Sequence, residues 1–130
     1  MRFYPVINGQ AEPQGLAEEY AASREIGVVR VGSTHLFFRA RFKHWYIPYT
    51  DITRCFRRVF LVPARMCCGK GDFRVENLIV MKGDDTLAQI QLPGTRAAQA
   101  LIADLKEKMP HADFTAIAAA PAEGEAATTS

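Results

Sequence analysis

The sequence predicts a mainly β fold of the α+β kind: a small barrel of six or seven strands, closed by one C-terminal helix and preceded by a short N-terminal one. Three observations predict it. Strand-like segments dominate the chain from residue 24 onward, two alternating strands at residues 74–81 and 86–92 flank a Lys82-Gly83-Asp84-Asp85 turn, and a single amphipathic helix follows at residues 96–109. At 130 residues the chain is long enough to bury a core without disulfides or metals, so one domain is expected.

Residues 1–12 carry no periodic signal, whereas residues 14–22 read as a short helix with Leu16 and Tyr20 four apart on one face. The β-branched run 25–31 ends at Gly32-Ser33, and Leu36-Phe37-Phe38 resumes it, which predicts a hairpin. Residues 40–44 are basic and turn the chain. Trp45, Ile47 and Tyr49 then restart an alternation that Pro48 confines to an edge or a strand end. From Ile52 to Val62 alternation gives a long strand, cationic at Arg54 and Arg58 on one side and mostly apolar on the other. Residues 63–72 have the glycines of a loop and enough apolar content for a short strand; both readings stay open.

The closing helix is the clearest element. Thr95 is placed to cap it, Ala97, Ala98, Leu101, Ile102, Leu105 and Met109 form one stripe, Lys106 and Lys108 suit the negative end of its dipole, and Pro110 stops it. The Ala-, Thr- and Gly-rich end has no aromatic residue after Phe114 and reads as a disordered tail. The division expected is an N-terminal extension at 1–23, a domain at 24–110 and a tail at 111–130.

No apolar run approaches the roughly 18 residues of a membrane span, and the first residues lack a signal-peptide pattern, so a cytoplasmic location is expected. Three cysteines, two of them adjacent, are not a secreted disulfide framework. The net charge of +2 conceals a polarity: residues 24–74 hold eleven Arg or Lys against three acids, a local +8. Eleven of the sixteen basic residues are Arg, which favours bidentate contacts with anions.

Strands followed by one closing helix, together with three segments, give a resemblance. These are Gly27-Val28-Val29-Arg30-Val31-Gly32-Ser33-Thr34-His35-Leu36-Phe37-Phe38, then Tyr46-Ile47-Pro48-Tyr49-Thr50-Asp51-Ile52, then the hairpin and helix of residues 77–109. Over residues 24–110 the chain resembles the small bacterial members of the pleckstrin-homology-like superfamily. That resemblance implies two nearly orthogonal antiparallel sheets and a module that binds rather than catalyses. In members that bind phosphoinositides, cations of the first hairpin grip the head group; here that turn is Gly32-Ser33-Thr34-His35, without Lys or Arg.

The cations lie later. Arg39, Arg41 and Lys43 share parity, so a continuous strand would project them from one face, and Arg57 and Arg58 follow on a neighbouring strand; paired guanidiniums clamp phosphate or carboxylate. The competing reading is a solvated face whose arginines lie over Phe42, Phe56 and Phe60 and pair with Asp51 or Asp72. Cys67 and Cys68, beside Lys70, are candidate reactive thiols of a redox sensor, against the reading of ordinary buried cysteines. Their spacing fits no metal site, and Gly69-Lys70-Gly71 is not a phosphate-binding loop. His35, His44 and His111 are scattered without a partnered base, Asp84-Asp85 suits a turn, and Trp45, Tyr46 and Tyr49 suit packing.

A non-enzymatic interaction module is therefore expected, with no cofactor, docking a protein or peptide at a sheet edge or at the barrel's open end. The alternative is an anionic lipid or phosphate-bearing ligand on the Arg/Lys face. A pI of about 8.5 speaks against nucleic acid. Phe3, Tyr4, Val6 and Ile7 need a surface, supplied by the chain's own sheet or by a second copy in a homo-oligomer.

Overall fold

The computed structural model describes residues 2–9, 12–63 and 72–117. In chain order the elements are β1 (Phe3–Pro5), α1 (Leu16–Ala22), β2 (Arg24–Ile26), β3 (Val29–Val31), β4 (His35–Ala40), β5 (Lys43–Pro48), a 3₁₀ turn at Tyr49–Asp51, β6 (Arg54–Pro63), β7 (Asp72–Lys82), β8 (Asp85–Leu92) and α2 (Thr95–Lys108). The strands form a five-stranded sheet ordered β1-β5-β4-β3-β2 and a three-stranded sheet ordered β6-β7-β8. The fold is thus mainly β, with two sheets and one long C-terminal helix.

The expected barrel is not closed: among the described residues no strand of one sheet pairs with a strand of the other. Gly27 shapes the edge of the larger sheet. The run 25–31, expected as one strand, bends back on itself at Gly27, where φ is 63°, and becomes the hairpin β2–β3. Two three-residue strands offer β8, with its eight residues, too short an edge to pair with. Any side chain at Gly27 would also collide with Pro93, since an added Cβ would stand 2.8 Å from its Cδ.

The five-stranded sheet is buried on both faces, which explains why His35-Leu36-Phe37-Phe38 shows no alternation of polarity. On one face Val29, Val31, Leu36, Phe38 and Ile47 join Leu78, Val80, Ile90 and Leu92 of the second sheet and Ala98, Leu101, Leu105 and Met109 of α2. On the other, Phe37 and Tyr46 pack against Phe3, Leu16 and Tyr20. The N-terminal residues therefore belong to the fold: β1 pairs in parallel with β5, and α1 helps cover the outer face. Glu19 fastens α1 to the β3–β4 turn by accepting from the amides of Thr34 (2.8 Å) and His35 (2.7 Å), from the Thr34 hydroxyl and from His35 Nδ1. Gly32 leaves room for that carboxylate; a Cβ there would meet it at closest range and also stand 2.8 Å from the His35 carbonyl.

Two termini of elements differ from expectation. Gly94, not Thr95, is the N-cap of α2, and Thr95 uses its hydroxyl to donate to Glu76 Oε2 at 2.7 Å. Of the tail expected over 111–130, residues 113–117 lie along the outer edge of β6: Cys55 N–H donates to Asp113 O and Asp113 N–H to Thr53 O. Arg54 pairs with the Asp113 carboxylate at 3.0 Å. Residues 118–130 fall outside the described residues.

Candidate functional site

The β4–β5 hairpin carries three of the expected anion-binding residues, arranged otherwise than a continuous strand would have them. Ala40 pairs with Lys43, so the turn is the two residues Arg41 and Phe42, with φ of 52° and 64°. Both central residues lie in the left-handed region, as a type I′ turn requires. Arg39 is cross-strand from His44 and Lys43 from Ala40, so Arg39 and Lys43 project from opposite faces of the hairpin. The single cationic face predicted for Arg39, Arg41 and Lys43 is replaced by a cationic tip, because the turn reverses the parity.

Phe42 forms the end of that tip and is 98% exposed. Among the described residues no arginine covers it. The neighbouring cations rest on other rings instead: Arg41 stands 5.3 Å from the centre of Trp45, Lys43 4.8 Å from Tyr4 and 5.8 Å from Trp45, and Arg2 5.2 Å from Tyr4. Trp45 Nε1–H donates to Ala40 O at 3.0 Å, which ties the indole to the turn. Among the described residues none of Arg2, Arg39, Arg41 and Lys43 has an ion-pair partner, although Arg24, Arg30, Arg54, Arg57 and Lys82 all do. The clearest signal of a site was thus hidden in Phe42, whose isolation among cations could have been read from a two-residue turn at 41–42.

A groove begins at the base of this hairpin, where the two sheets fail to join. One hollow of about 480 Å³ is bounded by Gly27 and Val28, by Phe38 to Ala40 of β4, and by Gln89 to Pro93 along β8. A second, of about 660 Å³, shares Phe38, Ala40 and Gln89 and continues toward Val6, Arg41 and Trp45. Phe38, Ile90 and Leu92 make the first hollow apolar, and Val28, 46% exposed, stands at its rim opposite Arg39.

Arg57 and Arg58 lie elsewhere and have structural partners. Neighbours on one strand, they face opposite sides of the sheet. Arg57 makes a bidentate pair with Glu76, its Nε at 3.0 Å and Nη2 at 3.1 Å. Glu76 is only 2% exposed. Burial alone would raise its carboxyl pKa, but the bonds from Arg57 and Thr95 and the positive charges of Arg57 and Arg74 outweigh that and hold it below the usual range. Arg58 stacks 5.2 Å from the centre of Phe56 and donates to Ile117 O. The expected five-residue anion site therefore divides into a tip with unpaired cations and two strand arginines engaged within the fold.

The other expected centres carry structural roles or fall outside the described residues. His35, expected in the turn of the first hairpin, opens β4, is 9% exposed and is hydrogen-bonded to Glu19. His111 Nε2 lies 3.0 Å from Tyr49 O and 3.1 Å from Ile52 O, bracing the turn into β6. Tyr46 and Tyr49 are buried, and Tyr49 donates to Gly32 O. Cys67 and Cys68 lie outside the described residues, and Cys55 is buried, its thiol pushed up to about 12 by desolvation. No cluster of three metal-ligating side chains occurs among the described residues, and no helix among them is long and apolar enough to cross a membrane. The chain matches no protein-family model, no curated protein and no solved structure.

Proposed function

We propose that this chain is a non-catalytic docking module of pleckstrin-homology-like architecture, and that it receives an extended peptide in the groove between β4 and β8. The single observation that carries this reading is the groove: an apolar channel running beside an edge strand, where the two sheets remain unjoined. A strand laid beside an edge strand gains main-chain hydrogen bonds along its length, and its alternate side chains enter the hollow. Phe38, Ile90 and Leu92 supply apolar contact for those side chains. Arg39 at the rim has no ion-pair partner among the described residues, which favours a ligand that carries a carboxylate.

The histidines support a binding role over a catalytic one, since each is engaged with a main-chain carbonyl, Glu19 or an aromatic neighbour. The test is a displayed-peptide selection on the whole chain, counter-selected against Val28→Glu, which places a charge at the rim without disturbing the core. Selected peptides should perturb the amide resonances of residues 27–28, 38–40 and 89–93 and lose at least tenfold in affinity for Val28→Glu. Peptides that bind both proteins equally, or that perturb only other residues, would remove the groove reading.

A further inference from the structure

We propose that the β4–β5 hairpin tip is an insertion element for an anionic bilayer: Phe42 enters the interfacial layer while Arg39, Arg41, Lys43 and Arg2 pair with lipid phosphates and carboxylates. Three independent observations support it.

The first is the ring itself. A phenylalanine 98% exposed gains nothing from the folded chain's interior, yet it occupies the outermost position of a hairpin. The second is backbone conformation. Asn-Gly fills a two-residue turn of this kind without strain, whereas here Arg41 and a bulky aromatic residue hold φ of 52° and 64°. Strain held at an exposed tip, with no packing to show for it, points to a function for the side chains displayed there. The third is charge. Arg41 and Lys43 adjoin Phe42 in the chain, Arg39 and Arg2 lie on the strands behind it, and none of the four has an ion-pair partner among the described residues, in a chain whose net charge is only +2.

The layering suits a membrane surface better than a protein pocket. Phe42 leads, Arg41 and Lys43 follow on either side, and Trp45 and Tyr4 stand behind them in contact with those cations. Interfacial layers take this order of groups, an apolar wedge, then cations at phosphate depth, then amphipathic rings. A folded anion pocket would instead converge its cations, and Arg39 and Lys43 diverge to opposite faces of the hairpin. The tip adjoins the peptide groove and shares Arg39 with it, so Phe42→Gly tests the tip and a change at Val28 tests the groove.

The chain has a single tryptophan, Trp45, which makes its own reporter. Vesicles of phosphatidylcholine with 30% phosphatidylserine, and of phosphatidylcholine alone, serve as probes at low and high salt. Binding to the anionic vesicles with a blue shift of Trp45 emission is expected, weakening as salt rises. Phe42→Gly should fold normally and lower vesicle affinity about tenfold while leaving the salt dependence in place. Replacing Arg39, Arg41 and Lys43 together by Gln should lower it about a hundredfold, roughly fivefold per cation, and flatten the salt dependence. Val28→Gln, which alters the groove rim without adding charge beside Arg39, should bind vesicles as the natural chain does. Absence of binding to either vesicle, or equal binding by Phe42→Gly, overturns the proposal. So does release by millimolar inorganic phosphate at constant ionic strength, which would make the tip a phosphate site, or a concentration-dependent dimer that Phe42→Gly dissociates, which would make it a self-association knob.

Discussion

Replacing Phe42 by glycine is expected to stabilise the folded chain, and the size of the effect follows from two opposing contributions. A side chain in the left-handed region raises the energy of the folded backbone by about 1–2 kcal/mol. The ring recovers almost none of this, because at 98% exposure it is nearly as solvated as in the unfolded chain. Glycine removes the steric penalty at φ 64° but has more backbone freedom to lose on folding, about 0.5–1 kcal/mol. The difference is a gain of about 1 kcal/mol, and for a chain of 130 residues that is a rise of about 3–5 °C in Tm. Adding Arg41→Asn completes an Asn-Gly turn and should raise stability by a few tenths of a kcal/mol more. Thermal and urea unfolding of the natural chain and the two variants measure this, with an unchanged urea slope confirming that the unfolded state is the same. A Tm lowered by more than ~2 °C would refute the reasoning, since Phe42 would then be making contacts that its exposure denies.

The neighbouring arginines of β6 should part company. Arg57→Ala strands the buried Glu76 carboxylate and is expected to destabilise by about 3 kcal/mol, whereas Arg58→Ala should shift urea-derived stability by less than about 1 kcal/mol. Acid should unfold the chain through Glu19 and Glu76. Burial raises the Glu19 pKa, but its bonds from Thr34 and His35 outweigh this and, like Glu76, it is held below its unfolded value near 4.3. Their contribution is therefore complete above that value and declines as pH falls through the folded pKa, so Glu19→Gln should flatten the stability-versus-pH curve below about pH 5. Gly32→Ala drives a methyl group onto the Glu19 carboxylate and the His35 carbonyl and should lower stability by about 2 kcal/mol or more, only partly restored by Glu19→Ala because the carbonyl remains. In a chain carrying Cys67→Ser and Cys68→Ser, Cys55 should react with a thiol reagent at pH 8 only on unfolding, as a buried thiol with a pKa near 12 must.

Much of the architecture was legible because it rests on periodicity. The alternation of residues 74–81 and 86–92 and the apolar stripe of 97–109 mark β7, β8 and α2 whatever surrounds them. What was not legible depended on backbone geometry at single residues. Nothing in the composition of 25–31 says that Gly27 turns the chain rather than weakening a strand, and that turn replaces one long strand by two of three residues. Likewise, parity arguments at Arg39, Arg41 and Lys43 hold only for a continuous strand, and a two-residue turn inverts them. Arg57 and Arg58 were indistinguishable in sequence because their difference lies in a partner nineteen residues away from Arg57, Glu76. Phe42 was misplaced for a related reason: a phenylalanine among arginines suggests covered apolar surface, and only the turn shows that nothing covers it.

The parallel pairing of β1 with β5 joins residues 3–5 to residues 44–46, a closure spanning about forty residues, whereas β4 and β5 meet across two. Such a distant contact forms only after its template exists, so the first strand and α1 must be added to a sheet already assembled from β2 to β5. The same order runs backward in the native state. Amides of β1 and α1 should exchange with solvent before those of β4 and β7, and each such opening lays bare Phe37 and Tyr46, two aromatic residues otherwise sealed. The aromatic outer face of the larger sheet is thus shielded by a segment that joins it late, which makes detachment of that segment, rather than global unfolding, the expected starting point for proteolysis and aggregation.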